Sequence, residues 1–139
     1  MKIRYGIIIM ICYLLNACRP TSQNPRISQE LAELRKQEIS GLRYDLRLSI
    51  PEQKSIPVEG EIHVRFRLNK PQEIILDFRE EADKIKEVAA NGQPTPYEFC
   101  NEHIILPKST ILQGENDIYI RFTAGNQSLN RNDEFLYTL

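Results

Sequence analysis

Metal and nucleophilic chemistry needs His, Cys or clustered carboxylates, and this chain of 139 residues holds two His, three Cys and 19 Asp+Glu. A zincin helix sets two His four positions apart with a Glu between them, because that spacing turns both imidazoles to one face. His63 and His103 lie forty positions apart and share no such helix pattern. His63 falls in the polar phase of an alternating stretch, which predicts a solvated side chain. Cys100 and His103 have a Cys-x-x-His spacing, which supplies half a metal site at most. No neighbouring Lys or Arg would stabilise a Cys100 thiolate, so Cys100 reads as a small apolar residue with no disulfide expected. Asp77, Glu80, Glu81 and Asp83 invite a carboxylate or calcium reading. They lack the loop glycine and alternating ligands of a calcium loop, so the expectation is a solvated loop. There is no Gly-x-Ser-x-Gly elbow and no Gly-rich phosphate loop. No residue is assigned a catalytic or metal-binding role.

The one strong chemical address is Cys18. Lys2 and Arg4 precede an apolar run from Tyr5 to Leu15, followed by Leu15-Asn16-Ala17-Cys18. This resembles a bacterial lipoprotein signal peptide, in which the thiol is alkylated by a diacylglyceryl group and cleavage leaves Cys18 as the first residue. The expectation is a signal peptide over 1–17, a chain anchored to a bilayer through Cys18, and a place in the bacterial cell envelope, facing the periplasm or the outer-membrane surface. An ordinary secretory leader with an incidental Cys and an uncleaved anchor are the competing readings.

Composition narrows the field. The chain has 18 Lys+Arg and a formal net charge of −1. Loss of residues 1–17 removes Lys2 and Arg4 and leaves 16 basic against 19 acidic residues, a net of −3. Such a balance argues against a nucleic-acid partner, which selects a basic face. The only long apolar run is the leader, so a polytopic membrane protein is excluded.

Residues 18–27 are polar with two prolines and read as a flexible tether. Ser28 is placed to cap a short helix ending near Glu38, with Ile27, Leu31 and Leu34 on one narrow stripe. The period then becomes two. Leu42, Tyr44, Leu46, Leu48 and Ile50 alternate with Arg43, Asp45, Arg47 and Ser49, and Ile62, Val64, Phe66 and Leu68 alternate with Glu61, His63, Arg65 and Arg67. This is the pattern of antiparallel strands with one wet face. Further strands are expected at Ile74–Phe78, Ile85–Ala90, Tyr97–Phe99, His103–Leu106 and Ile118–Phe122. Asn91-Gly92 signals a hairpin with Tyr97–Phe99 as its delayed return arm, and Gly114–Asp117 signals a turn. The expected fold is all-β: an antiparallel β-sandwich or an open, saddle-like sheet of six to seven strands with one short N-terminal helix. Leu46, Leu48, Val64, Phe66, Ile120 and Phe122 should share one core, with Arg47, Arg65 and Arg121 facing water.

Several stretches in order then carry a resemblance. Leu42-Arg-Tyr-Asp-Leu with Ile50-Pro51, Val58-Glu-Gly-Glu-Ile, Leu76-Asp-Phe-Arg79, Val88 to Gly92, Tyr97-Glu-Phe99 and the run Ser128-Leu-Asn-Arg-Asn-Asp-Glu-Phe-Leu-Tyr137 are similar to successive pieces of the N-terminal β-domain of the aminopeptidase N family of zinc metallopeptidases, in particular its Bacteroidetes-type lipoprotein members. The resemblance covers about residues 28–139. It implies a parent that binds one zinc through H-E-x-x-H and a downstream Glu and releases N-terminal amino acids from peptides. None of those groups has a counterpart here, so no cofactor is expected in this chain and zinc would belong to the full-length family. The chain ends within the apolar run Phe135 to Leu139. On this reading it is a truncated or frameshifted N-terminal piece whose partners are the membrane and a catalytic domain, and whose 28–139 domain is incomplete. The alternative is a free-standing lipid-anchored β-module that binds a protein, peptide or glycan at the cell surface.

Overall fold

The computed structural model describes residues 29–125, 129–131 and 136–138. The leader, Cys18 and the tether lie outside the described residues. The expected all-β antiparallel architecture is present. The elements are α1 (Gln29–Glu38), β1 (Ile39–Ser49), β2 (Glu59–Leu68), β3 (Ile74–Asp77), β4 (Ile85–Ala90), β5 (Gln93–Pro94), β6 (Glu98–Cys100), β7 (His103–Leu106), β8 (Gly114–Thr123), β9 (Leu129–Arg131) and β10 (Leu136–Thr138). A five-stranded sheet has the order β1-β2-β8-β4-β5 and a three-stranded sheet the order β3-β7-β6, while β9 and β10 pair with each other. Every pairing is antiparallel.

One apolar core joins the two larger sheets. Val64, Phe66 and Leu68 of β2, Val88 of β4 and Ile118 and Ile120 of β8 meet Ile74 of β3 and Ile104 and Leu106 of β7. The period of two does this, because alternate residues of each strand project to the same face. Phe78, just past β3, bridges the sheets through edge-to-face contacts with Phe122 at 5.7 Å and Phe99 at 6.3 Å between ring centroids. Gly60, opposite Phe122 in the register, makes room for that ring, since a Cβ there would overlap it.

Two turns depart from expectation. Asn91 and Gly92 have φ of 54° and 79° and make the expected tight hairpin turn. Its return arm is β5, only two residues long, rather than Tyr97–Phe99. Pro94 has no N–H, and Thr95 takes over the bonding by donating to Val88 O at 3.0 Å, after which the chain leaves the sheet. Residues Glu98–Cys100 instead pair with β7 across a second two-residue turn at Asn101 and Glu102, both with positive φ. The turn expected over Gly114–Asp117 is not there: Gly114, with a φ of 91°, is already the first residue of β8, opposite Leu68. Glu115, Asn116 and Asp117 already lie in β8, opposite Arg67, Phe66 and Arg65.

The expected core is corrected at one end. Val64, Phe66 and Ile120 are buried and Phe122 is half-buried, whereas Leu46 is 52% exposed and Leu48 is also exposed. The alternation in β1 is genuine, and its polar residues stand on the wet face as expected. However, β1 is the edge strand, and the opposing sheet has only three short strands, so no described element covers the apolar side of β1.

Candidate functional site: an open apolar groove beneath the first strand

The uncovered side of β1 forms the roof of a continuous groove between the two sheets. One lobe, of about 510 Å³, is lined by Ile39, Leu42, Tyr44, Val64, Ile74 and Leu76, with Arg35 and Asp77 at its rim. The other, of about 420 Å³, runs under Tyr44, Leu46 and Leu48 past Ile62, Phe78 and Phe122. Tyr44, Val64, Leu76 and Asp77 belong to both lobes. Tyr44 is 65% exposed, and Leu42, Leu46, Leu48 and Ile50 are exposed beside it. These five large apolar side chains form one exposed row on the folded surface.

A polar clamp sits at the Asp77 rim. Arg35, in the last turn of α1, holds Asp77 with Nη2 donating to Oδ1 at 2.9 Å and Nη1 to Oδ2 at 3.0 Å. The same Nη2 donates to Ile75 O at 2.8 Å. His103, only 4% exposed, sets Nδ1 3.1 Å from Asp77 Oδ1 but off the hydrogen-bonding direction, so that nitrogen has no hydrogen-bond partner. Asp77 is therefore not the solvated loop acid expected from its neighbours Glu80, Glu81 and Asp83. It ends β3 and ties the helix to the second sheet through a bidentate pair. No long-range signal in the sequence links Arg35 to Asp77.

The opposite face of the five-stranded sheet is a lattice of charges. Arg47, Glu61, Arg121 and Glu87 occupy one row across β1, β2, β8 and β4, and Arg121 Nε lies 3.4 Å from Glu87 Oε2. His63 is in the polar phase as expected and half-exposed, with Nδ1 2.9 Å from Asp117 Oδ1 and its ring 5.1 Å from that of Tyr119. Arg65 donates to the same carboxylate, and Arg67 donates to Glu115. Burial raises the Tyr119 hydroxyl above its ordinary pKa, and the carboxylates of Glu61 and Glu87 add to the rise.

His63 and His103 belong to different sheets and serve different carboxylates. Among the described residues there is no group of three His, Cys, Asp or Glu placed to hold a metal ion. Among the same residues no helix is long and apolar enough to cross a membrane. Cys100 is disulfide-bonded, which corrects the expectation of an unpaired thiol.

The fold and the groove define an all-β sandwich with an open flank. No protein-family model and no curated protein matches the chain. Among solved structures the chain is similar to a two-domain M1 zinc metallopeptidase bound to L-tryptophan, at 18% identity and a TM-score of 0.45 over 68% of this chain. The match spans 23% of that protein's chain.

Proposed function

We propose that this chain is the non-catalytic N-terminal β-domain of a membrane-anchored zinc aminopeptidase, held on the cell envelope through a lipid on Cys18. Its apolar groove docks against the catalytic domain that supplies the zinc and releases N-terminal amino acids. The observation that carries a docking role is the groove itself. A sandwich that buries Phe66, Leu68, Ile104 and Ile118 almost completely leaves Leu42, Tyr44, Leu46 and Leu48 in water. An exposed apolar row of that extent fits a surface that a neighbouring domain covers. The family resemblance supports a catalytic domain as the cover, and the sequence around Cys18 supports the anchor.

Reading the coding sequence immediately downstream is the direct test. An in-frame continuation encoding H-E-x-x-H is expected, and the encoded catalytic domain, expressed separately, should bind the chain and lose that binding on Leu46→Asp. An unrelated gene downstream, with no such continuation, would transfer support to the free-standing surface module. For the anchor, mass spectrometry should find an acylated peptide beginning at Cys18. A Cys18→Ala chain that still fractionates with membranes would remove that part of the reading.

A further inference from the structure

We propose that the outer edge of β1 pairs, antiparallel, with the same edge of a second copy of the chain, about a twofold axis through Leu46. β1 is eleven residues long, ends the sheet, and pairs only with β2 among the described residues. Its outer side thus offers a row of backbone N–H and C=O groups to another strand, and it carries neither Pro nor Lys to discourage one.

The side-chain pattern selects the register. Residues directly opposite one another in an antiparallel pair point to the same face, so apolar meets apolar only when the axis passes through a residue. An axis at Asp45 sets Asp45 against itself and Arg43 against Arg47, and an axis at Arg47 sets Arg47 against itself. Both place like charges in contact. An axis at Tyr44 pairs Arg43 with Asp45 but runs into the bulge between Ser40 and Arg43, where Gly41 has a φ of 62°. An axis at Leu48 runs into Pro51 after two residues on either side.

The axis at Leu46 meets none of these obstacles. It aligns residues 42–50 with 50–42 of the second copy, between the bulge and Pro51. Asp45 faces Arg47 twice, Tyr44 faces Leu48 twice, and Leu46 faces Leu46. The charges continue the lattice already in the sheet: Glu87, Arg121, Glu61 and Arg47 alternate in sign across four strands, and Asp45 of the second copy is the next member of that row, followed by its His63. Because this contact uses the strand edge rather than the groove, it does not depend on the aminopeptidase reading.

Light scattering of the purified full chain should give twice the monomer mass. Arg47→Asp and Asp45→Arg should each weaken association by about tenfold or more, since each sets like charges face to face twice per dimer. Mixing those two variants should restore the dimer, because every crossed pair then has opposite signs. Independently of the charge variants, Leu46→Cys should cross-link to its counterpart under mild oxidation, the opposed Cα atoms being within disulfide reach, whereas Leu42→Cys, which faces Ile50, should not. A monomeric parent chain overturns the proposal. So does a dimer unaffected by both charge reversals, natively folded charge variants that stay apart on mixing, or equal cross-linking at positions 42 and 46.

Discussion

Phe66 and Leu46 have side chains of the same apolar phase in their strands, yet one is 2% and the other 52% exposed. The energetic consequence follows from burial and not from residue type. Phe66→Ala should destabilise the chain by about 3 to 5 kcal/mol through lost transfer energy and the cavity left behind, while Leu46→Ala should change stability by no more than about 0.5 to 1 kcal/mol. Urea unfolding of the two variants is the measurement, and a comparable loss from both would show that the β1 face is covered in solution. Tyr119 adds a dependence on pH. Its folded pKa is raised above the ordinary 10.0, chiefly by burial, so the folded state holds the phenolic proton more tightly than the unfolded chain does. The stabilisation is complete below the unfolded value and is lost as pH rises through the folded one. Tyr119→Phe should therefore flatten the alkaline decline of stability above about pH 10 and leave its neutral and acid limbs unchanged. An alkaline limb of the same slope in the variant would assign the decline to other groups.

At the scale of elements, β8 depends on a polar residue within an apolar pattern. Asn116 is 3% exposed; its Oδ1 accepts from Leu112 N at 2.8 Å, and its Nδ2 donates to Leu112 O at 2.9 Å and Gly114 O at 3.1 Å. Asn91 joins from the β4 turn, donating through Nδ2 to Asn116 Oδ1 at 3.2 Å and accepting from Asp117 N at 3.0 Å. Asn116→Ala should cost about 1 to 3 kcal/mol by stranding the Leu112 backbone groups. Hydrogen exchange should show the Leu112 amide opening ahead of the core strands. This network explains why the Gly114–Asp117 stretch reads as a turn and yet lies within a strand: Asn and Asp are turn formers in isolation, and here one of them staples the preceding loop from within the sheet. Local pattern located β2, β3, β4, β7 and β8, because period, β-branching and turn residues all act within a few positions. Three features were not legible from local pattern. They are the short return arm at Pro94, the pairing of Glu98–Cys100 with β7, and the exposure of β1, and each depends on which strand lies beside which. The candidate site was legible only as an apolar stripe. Its openness, and the Arg35–Asp77 clamp that spans 42 positions, arise from packing between two sheets.

At the scale of the whole molecule, charged side chains among the described residues pair with one another, and this bears on what the isolated chain should do in an assay. Arg35 is committed to Asp77, Arg65 and His63 to Asp117, Arg67 to Glu115 and Arg121 to Glu87. These pairs are mostly exposed, so each contributes little to stability, about 0 to 1 kcal/mol, but those on the five-stranded sheet together hold its wet face in one register. Zinc capture needs three or four converging nitrogen, sulfur or oxygen ligands. The two imidazoles lie in different sheets, so assembling them around one ion would require taking the sandwich apart. The purified chain should therefore carry well under one zinc per molecule by elemental analysis and show no hydrolysis of an aminoacyl chromogenic amide above buffer, and His63→Ala and His103→Ala should leave both results unchanged. His103→Ala should nevertheless reduce stability, because His103 is buried, whereas His63→Ala should have little effect at its half-exposed position. Chelator-sensitive turnover together with about one zinc per chain would require ligands beyond the described residues and would give this chain a catalytic role of its own.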